Sequence, residues 1–169
     1  YIIKNMTIIL KDKATLVFDD FIFRCVIGVK GITKKKVEGD KKTPIGTFSL
    51  GNLYYRKDRN IKPLTKLKCI PIKNNMGWCD DVNSKKYNQE ISFPFKYSAE
   101  KLFKKNNTYD IFINIKYNQS PITKGKGSAI FLHLSTKNYK PTKGCVAILK
   151  KDFLKILPLI NKKTKILIK

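Results

Sequence analysis

The stretch "SAIFLHLSTKNYKPTKGCVAIL", residues 128–149, contains two apolar runs separated by a polar loop. Residues 128–134 and 145–149 have the length and apolar content of buried strands, and the loop between them contains proline and glycine, as turns do. A strand, loop, strand connection brings its two ends close together. We therefore expect His133 and Cys145 to lie side by side across an antiparallel pair of strands.

Short β-rich runs separated by turn residues dominate the first two thirds of the chain. The runs are "MTIIL", "ATLVF", "FIFRCVIGV", "TFSL", "KLKCIPI" and "YDIFINIKY", and the last alternates as a strand with at least one buried face does. "SAEKLFKK" from Ser98 is predicted as a short helix, and "KKDFLKIL" from Lys150 as a second helix that Pro158 ends or kinks. With "TKILIK" as a closing strand, residues 1–169 are predicted to form one mainly β domain with a few short helices.

The composition is that of a folded domain with a large positive charge. The chain has 169 residues, of which 42% are apolar, enough for a packed core. A formal net charge of +24 raises the question of a nucleic-acid partner. Arginine, which reads guanine and grips phosphate, occurs only at positions 24, 56 and 59, and the lysines are dispersed. We therefore expect no nucleic-acid partner and interpret the charge as a general attraction to anionic material.

No segment has the pattern of a membrane span, a cleaved leader or a metal site. The chain contains no run of 18 apolar residues, and its start, "YIIKNMTIIL", lacks the organisation of a signal peptide. Cys25, Cys69, Cys79 and Cys145 form no CxxC pair and no zinc spacing, so we expect no metal and no cofactor, while one or two disulfides remain open. Cys25 and Cys69 lie in apolar runs and are predicted core residues, whereas Cys79 falls in a predicted loop.

His133 and Cys145 have the chemistry of a base and a nucleophile. A thiol is mostly protonated at neutral pH, and a neighbouring imidazolium stabilises the thiolate that attacks a carbonyl. Gly144 allows close backbone approach, and amides near Lys143 and Cys145 could bind an oxyanion. The alternative is that both residues are ordinary core residues, as buried histidines and free cysteines often are.

A second stretch, "GDKKTPIGTF" from Gly39, resembles the signature G-[DK]-x-x-TPxGxF of L,D-transpeptidase (YkuD) catalytic domains. The histidine followed by "TKGCVAI" resembles the histidine and [ST]-x-G-C-[VI] motif of the same family. The two motifs occur in the family's order, and the resemblance extends over about residues 7–168. It implies a β-sandwich or barrel-like fold and an enzyme that acylates its cysteine with a peptidoglycan stem peptide. The acyl group then passes to an amine on a neighbouring stem.

Carried over by position, the resemblance implies that Cys145 is the nucleophile and that His133 accepts and donates the proton, with Gly144 shaping the oxyanion site. Neighbouring residues that we expect to bind substrate are Ser128, Thr142 and Lys143. Leu134 replaces the glycine that many members have after the histidine, and Ala147 replaces an arginine that meets substrate carboxylate. Lys143 also stands where histidine or arginine is common, and the loop between histidine and cysteine is short, so we expect a divergent branch.

The middle segment "NNMGWCDDVNSKKYNQ", from Asn74, could supply specificity from a loop. It contains an aromatic residue, two carboxylates and an amide, and the candidate substrate-binding residues are Trp78, Asp80, Asp81, Tyr87 and Asn88. If the loop lines the cleft, its acids could receive the ammonium of an acceptor amine. The alternative is a surface loop that Trp78 anchors; no further carboxylate or histidine completes a metal or glycosidase site.

Three functions remain as hypotheses. The first is a transpeptidase that forms a 3-3 or a non-standard 1-3 type bond from a diaminopimelate carbonyl. The second is an L,D-carboxypeptidase or endopeptidase with the same cysteine, and the third is a basic nucleic-acid-binding module without chemistry. A peptidoglycan substrate places the protein in the periplasm or cell envelope. The sequence leaves the oligomeric state open, and we expect a monomer without an integral membrane segment.

Overall fold

The computed structural model describes residues 6–169, which form a mainly β structure. The strands are β1 Thr7–Asp12, β2 Thr15–Phe18, β3 Phe21–Val26, β4 Ile32–Thr33, β5 Thr43–Pro44, β6 Gly46–Tyr55, β7 Cys69–Pro71, β8 Met76–Cys79, β9 Glu90–Ser92, β10 Ala99–Lys101, β11 Ile111–Ile115, β12 Phe131–Leu134, β13 Val146–Ile148 and β14 Lys165–Ile168. One α-helix, α1 Lys150–Ile156, and a 3₁₀ turn, Leu157–Leu159, lie between β13 and β14. The predicted fold class, mainly β with short helices, is confirmed.

The largest sheet closes on itself through the long strand β6. Its strands follow the order β11, β12, β13, β3, β2, β1, β14, β6, β7, and β6 also pairs with β11. Residues 46–49 of β6 pair with β14, whereas residues 50–55 pair with β11 on its other edge. Eight strands thereby form a barrel-like ring, which removes the open edges that a flat sheet would present.

Two apolar clusters occupy the two faces of strands β11 and β12. Ile111, Ile113 and Ile115 belong to the main cluster, which also contains side chains of β1, β3, β6 and β14. Phe112 belongs to a second cluster with Trp78 of β8. A small sheet of β10, β8 and β9 contributes to this second cluster and covers that face. The alternation in β11 predicted at least one buried face, and all five of its residues are buried.

The predicted helix from Ser98 is wrong, and the two later predictions are confirmed. Residues 99–101 form β10, which pairs antiparallel with β8, and the next residue, Leu102, is fully buried in the second cluster. Pairing with β8 and burial of Leu102 outweigh the helical preference of this segment, because a short helix has little stability by itself. The helix from Lys150 is present as α1, and Pro158 lies in the 3₁₀ turn that follows it. The closing strand is β14.

Candidate active site

Strands β12 and β13 lie next to each other, so the predicted proximity of the two runs is confirmed. The predicted antiparallel orientation is wrong, because His133 pairs with Ala147 in a parallel register. Two parallel strands require a connection that returns the chain to the end of the sheet at which the first strand began. Residues 135–145 make this return, and Thr142 forms a parallel bridge to Gly28 on the way.

The two faces of β12 and β13 have different surroundings. Leu132, Leu134 and Val146 pack in the main core. His133 and Cys145 instead line a cleft of about 610 Å³ on the opposite side of the strands. Strand alternation therefore places both candidate catalytic side chains on the same, outward face. Leu134, which replaces a glycine in the family pattern, directs its side chain into the core and not toward the substrate.

Cys145 is held by backbone groups at the floor of the cleft. Its Sγ donates to the carbonyl of Ala129 at 3.3 Å and accepts from the amide of Phe131 at 3.3 Å. Burial, with a smaller contribution from the charge of Glu100, raises the pKa of Cys145 to about 12, and the Phe131 amide opposes the shift. The free enzyme therefore holds a neutral thiol at pH 7, and not the thiolate that the sequence led us to expect.

His133 is oriented by the backbone carbonyl of Leu134. Its Nδ1 lies 2.9 Å from this oxygen, so Nδ1 carries the proton and Nε2 offers its lone pair. The ring packs edge to face on Tyr109, with centroids 5.2 Å apart. Burial lowers the pKa of His133 to about 4, and the bond to Leu134 opposes this shift. Within residues 6–169, no hydrogen bond joins His133 to Cys145, so the two form an uncharged pair across one cleft.

The two sequence motifs meet at the rim of this cleft. Thr43 is fully buried, and its Oγ1 accepts the Gly28 amide at 2.9 Å. Gly144 has a φ of +140°, and a Cβ there would lie 3.0 Å from the carbonyl oxygen of Lys42. Glycine is therefore required by backbone geometry at this point. The Gly144 amide donates to Thr142 Oγ1 at 3.1 Å, so it is engaged in a turn and not free for an oxyanion.

The structure divides the predicted substrate-binding residues into two groups. Those that line the cleft beside His133 and Cys145 are Asp80, Ser128, Thr142 and Lys143. Trp78 lies in β8 and packs edge to face on Phe131 beneath the cleft. Asp81 accepts the amides of Asn83 and Ser98 and stabilises a turn. These two side chains do not line the cleft, and most of the segment builds the support of the cleft.

Tyr87 and Asn88, which the sequence predicted to bind substrate, are also support residues and do not line the cleft. Tyr87 is 1% exposed and donates its hydroxyl to Glu38 Oε2. Asn88 is 2% exposed, and its side-chain amide bonds only to protein groups. Neither side chain presents a polar group to the cleft.

Sequence reasoning missed an ionic group beside the catalytic pair. Glu100 Oε1 accepts from Tyr109 Oη and from Lys104 Nζ, both at 2.8 Å, and these three residues line the cleft. Burial raises the pKa of Tyr109, and the negative charge of Glu100 raises it further. The signal was present as a Glu100 and Lys104 spacing of four, but the helix predicted there would have directed both side chains to solvent.

All four cysteines are free thiols. Cys25 is a core residue, as predicted, and burial raises its pKa to about 12. Cys69 is half-buried, so the predicted core position is only partly met. Cys79 was predicted in a loop and instead ends strand β8 fully buried. In the described part of the chain, no group of three metal-ligating side chains converges, and no helix is long and apolar enough to cross a membrane.

Comparison with known proteins agrees with this geometry. The family model described as YkuD, the L,D-transpeptidase catalytic domain, matches residues 4–168. No match was found among curated proteins or among solved structures. The match covers nearly the whole chain, including the cleft, both motifs and all the strands of the barrel. The chain therefore belongs to the L,D-transpeptidase (YkuD) catalytic domain family.

Proposed function

We propose that the protein is an L,D-transpeptidase that joins peptidoglycan stem peptides through a thioester on Cys145. The observation that carries the proposal is the position of Cys145 and His133, which project from neighbouring strands into the same cleft of a family member. The family acts by acyl transfer, and a thiol beside an oriented imidazole is the arrangement that acyl transfer through cysteine needs.

The first half of the reaction forms the thioester. Nε2 of His133 takes the thiol proton while Sγ attacks the diaminopimelate carbonyl of a donor stem, and a tetrahedral oxyanion forms. The oxyanion collapses and the terminal D-amino acid leaves. His133 donates the proton that it took from the thiol to the amine nitrogen of this leaving group. The depressed pKa of His133 keeps the imidazole neutral, as a proton acceptor must be, at neutral pH.

The second half transfers the acyl group. An amine of a second stem attacks the thioester carbon, His133 accepts the amine proton, and the Cys145 sulfur leaves and is reprotonated. Water in place of the amine gives hydrolysis, which is the carboxypeptidase or endopeptidase alternative. The half-buried Asp80 lines the cleft beside the catalytic pair. We infer that its carboxylate receives the ammonium of the acceptor.

Recognition of substrate carboxylates comes from lysine in this site. Ala147 lines the cleft where many family members have arginine. Lys36 forms an ion pair with Asp40, and Lys104 forms one with Glu100. The exposed lysines that line the cleft are Lys41, Lys140 and Lys143, and Lys143 is our candidate because it is two residues before Cys145 in the sequence.

This change at Ala147 leads us to expect a bond other than the common 3-3 type, such as a 1-3 type. Leu134 does not contribute to this expectation, because its side chain faces the core. Since the stem peptides are in the cell envelope, the protein acts there or in the periplasm.

The test is incubation of the pure protein with disaccharide-peptides, followed by tandem mass spectrometry of the products. We expect cross-linked dimers that are lost in Cys145→Ala. If the only products are trimmed monomers, the reaction is hydrolysis and the transpeptidase proposal is refuted. Exclusively 3-3 dimers would refute the inference from Ala147 and leave the transpeptidase assignment in place.

A further inference from the structure

The backbone that contacts the nucleophile has an unusual conformation at residues 127–129. Gly127 has a φ of +103°, and Ala129 has a φ of +52°. An alanine in the left-handed region is strained, and such residues persist only when their surroundings hold them there. The Ala129 carbonyl accepts from Cys145 Sγ, so the strained residue is also the one that contacts the nucleophile.

Asn88 supplies the hydrogen bond that holds Ala129. Its Oδ1 accepts the Ala129 amide at 3.1 Å and the Trp78 indole N–H at 2.9 Å. Its Nδ2 donates to the carbonyls of Tyr117 and Asn118, at 3.1 and 2.7 Å. All the hydrogen-bonding positions that Asn88 can fill with good geometry are occupied, and Asn88 itself has a φ of +56°, which asparagine tolerates.

Neighbouring bonds hold the other end of the same segment. The Gly127 amide donates to the hydroxyl of Tyr87 at 2.9 Å, and Ser128 Oγ donates to Glu38 Oε2 at 2.7 Å. Glu38 also accepts the Tyr87 hydroxyl. Residues 127–129 are therefore held at three successive positions by the buried Tyr87–Asn88 pair and Glu38, before the chain enters β12.

We propose that Asn88 is a positioning residue for the nucleophile. By holding Ala129 in the left-handed conformation, it fixes the carbonyl that orients Cys145 Sγ. The inference rests on the proposed function only in taking Cys145 as the reacting group. It also explains why a polar residue of the middle segment is buried next to the cleft without reaching the substrate.

The test compares Asn88→Gly with Asn88→Ser and with the double variant Asn88→Gly, Ala129→Gly. Glycine keeps the positive φ at position 88 but removes the acceptor, whereas serine stays polar and uncharged but is too short to reach the Ala129 amide. We expect Asn88→Gly to lower kcat about tenfold while KM changes less than about twofold, because small misplacements of a reacting group mainly affect the chemical step. Ala129→Gly should restore most of this loss, since glycine adopts the positive φ without help.

A second measurement needs no peptidoglycan. The pH midpoint for alkylation of Cys145 by iodoacetamide, followed by intact mass, should fall in Asn88→Gly, because the neutral thiol loses the carbonyl to which it donates. A role in folding alone would lower the melting temperature and leave this midpoint unchanged. Asn88→Ser should lower the midpoint in the same direction, and it carries the test if Asn88→Gly does not fold.

The outcomes separate this inference from the proposed function. An unchanged midpoint and kcat in folded Asn88→Gly, or in folded Asn88→Ser if Asn88→Gly does not fold, would overturn the positioning role. Failure of Ala129→Gly to restore kcat would also overturn it. A shifted midpoint in an enzyme that makes no dimers would refute transpeptidation and leave the positioning of Cys145 intact.

Discussion

Cys25 and Cys145 are both buried, at 1% and 7% exposure, and burial raises the pKa of each to about 12. Their surroundings differ. Cys25 in β3 belongs to the apolar core of the barrel, whereas Cys145 exchanges hydrogen bonds with backbone groups and lines a cleft that also holds His133. Burial and thiol pKa therefore do not distinguish a nucleophile from a core residue in this protein. The two cysteines are distinguished by access to a cleft and by an oriented base in that cleft.

The largest effect should come from removing one thiol and not the other. Cys145→Ala should lower transpeptidation on the order of 10⁴-fold or more, because no other thiol among the described residues lines the cleft. Cys25→Ala should keep kcat and lower the free energy of unfolding by about 1 kcal/mol, the cost of a small cavity. Dimer formation and chemical denaturation of both variants measure this contrast. Equal transpeptidase activity in the two variants would show that Cys145 is not the nucleophile.

His133 sharpens the contrast because it is the only histidine and it faces Cys145's cleft. His133→Gln should lower kcat about 10²- to 10⁴-fold, the usual contribution of a general base. It should also change the pH dependence of stability. The pKa of His133 is about 4 in the folded chain against 6.5 for an ordinary histidine, so the unfolded chain takes up the proton first as pH falls.

The free energy of unfolding of the wild type should accordingly decrease between pH 6.5 and 4, and that of His133→Gln should decrease less over the same window. Urea unfolding at several pH values measures the two slopes. Carboxylates with a lowered pKa, such as Asp40, lose their contribution to the free energy of unfolding mainly at pH values below this window. Identical slopes in the two proteins would show that the imidazole is not buried in its neutral form.

A smaller effect should separate two neighbouring carboxylates in the same way as the two cysteines. Asp80 lines the cleft, while the carboxylate of Asp81 accepts two backbone amides in a turn. Asp80→Asn should raise KM for the acceptor stem several-fold, roughly the 1 kcal/mol of a half-exposed charge contact, with hydrolysis of the donor unchanged. Asp81→Asn is the matched control and should change stability more than KM. The opposite pattern would place the acceptor elsewhere.

Strand alternation and turn residues were sufficient to predict the fold class from the sequence. The runs around β1, β2, β3 and β11 are strands because their apolar residues must be buried, and the pair of motifs identified Cys145 and His133. The parallel pairing of β12 and β13 could not be read, because a loop of this length permits either direction. The closing of the sheet by β6 depends on one strand that pairs on both edges, which no local pattern encodes.

The residues that support the site from below could not be predicted from the sequence. Trp78, Tyr87 and Asn88 were predicted to contact substrate because polar and aromatic residues in a loop commonly do so. Trp78 is buried in β8, which pairs with β10, the segment mistaken for a helix. Tyr87 and Asn88 are buried against residues 117–118 and 127–129, to which they are hydrogen-bonded. A short amphipathic segment such as "SAEKLFKK" can form either structure, and a tertiary anchor at Leu102 decides between them.

The central claim is that Cys145, and not another thiol, carries the acyl group. Its most direct test is intact-mass measurement of the protein mixed with a stem tetrapeptide, followed by peptide mapping of the adduct. The account predicts a mass increase equal to the donor stem less its terminal D-amino acid, located on the peptide that contains Cys145 and absent in Cys145→Ala. An adduct on Cys69 or on a lysine, or release of the D-amino acid without dependence on Cys145, would contradict it.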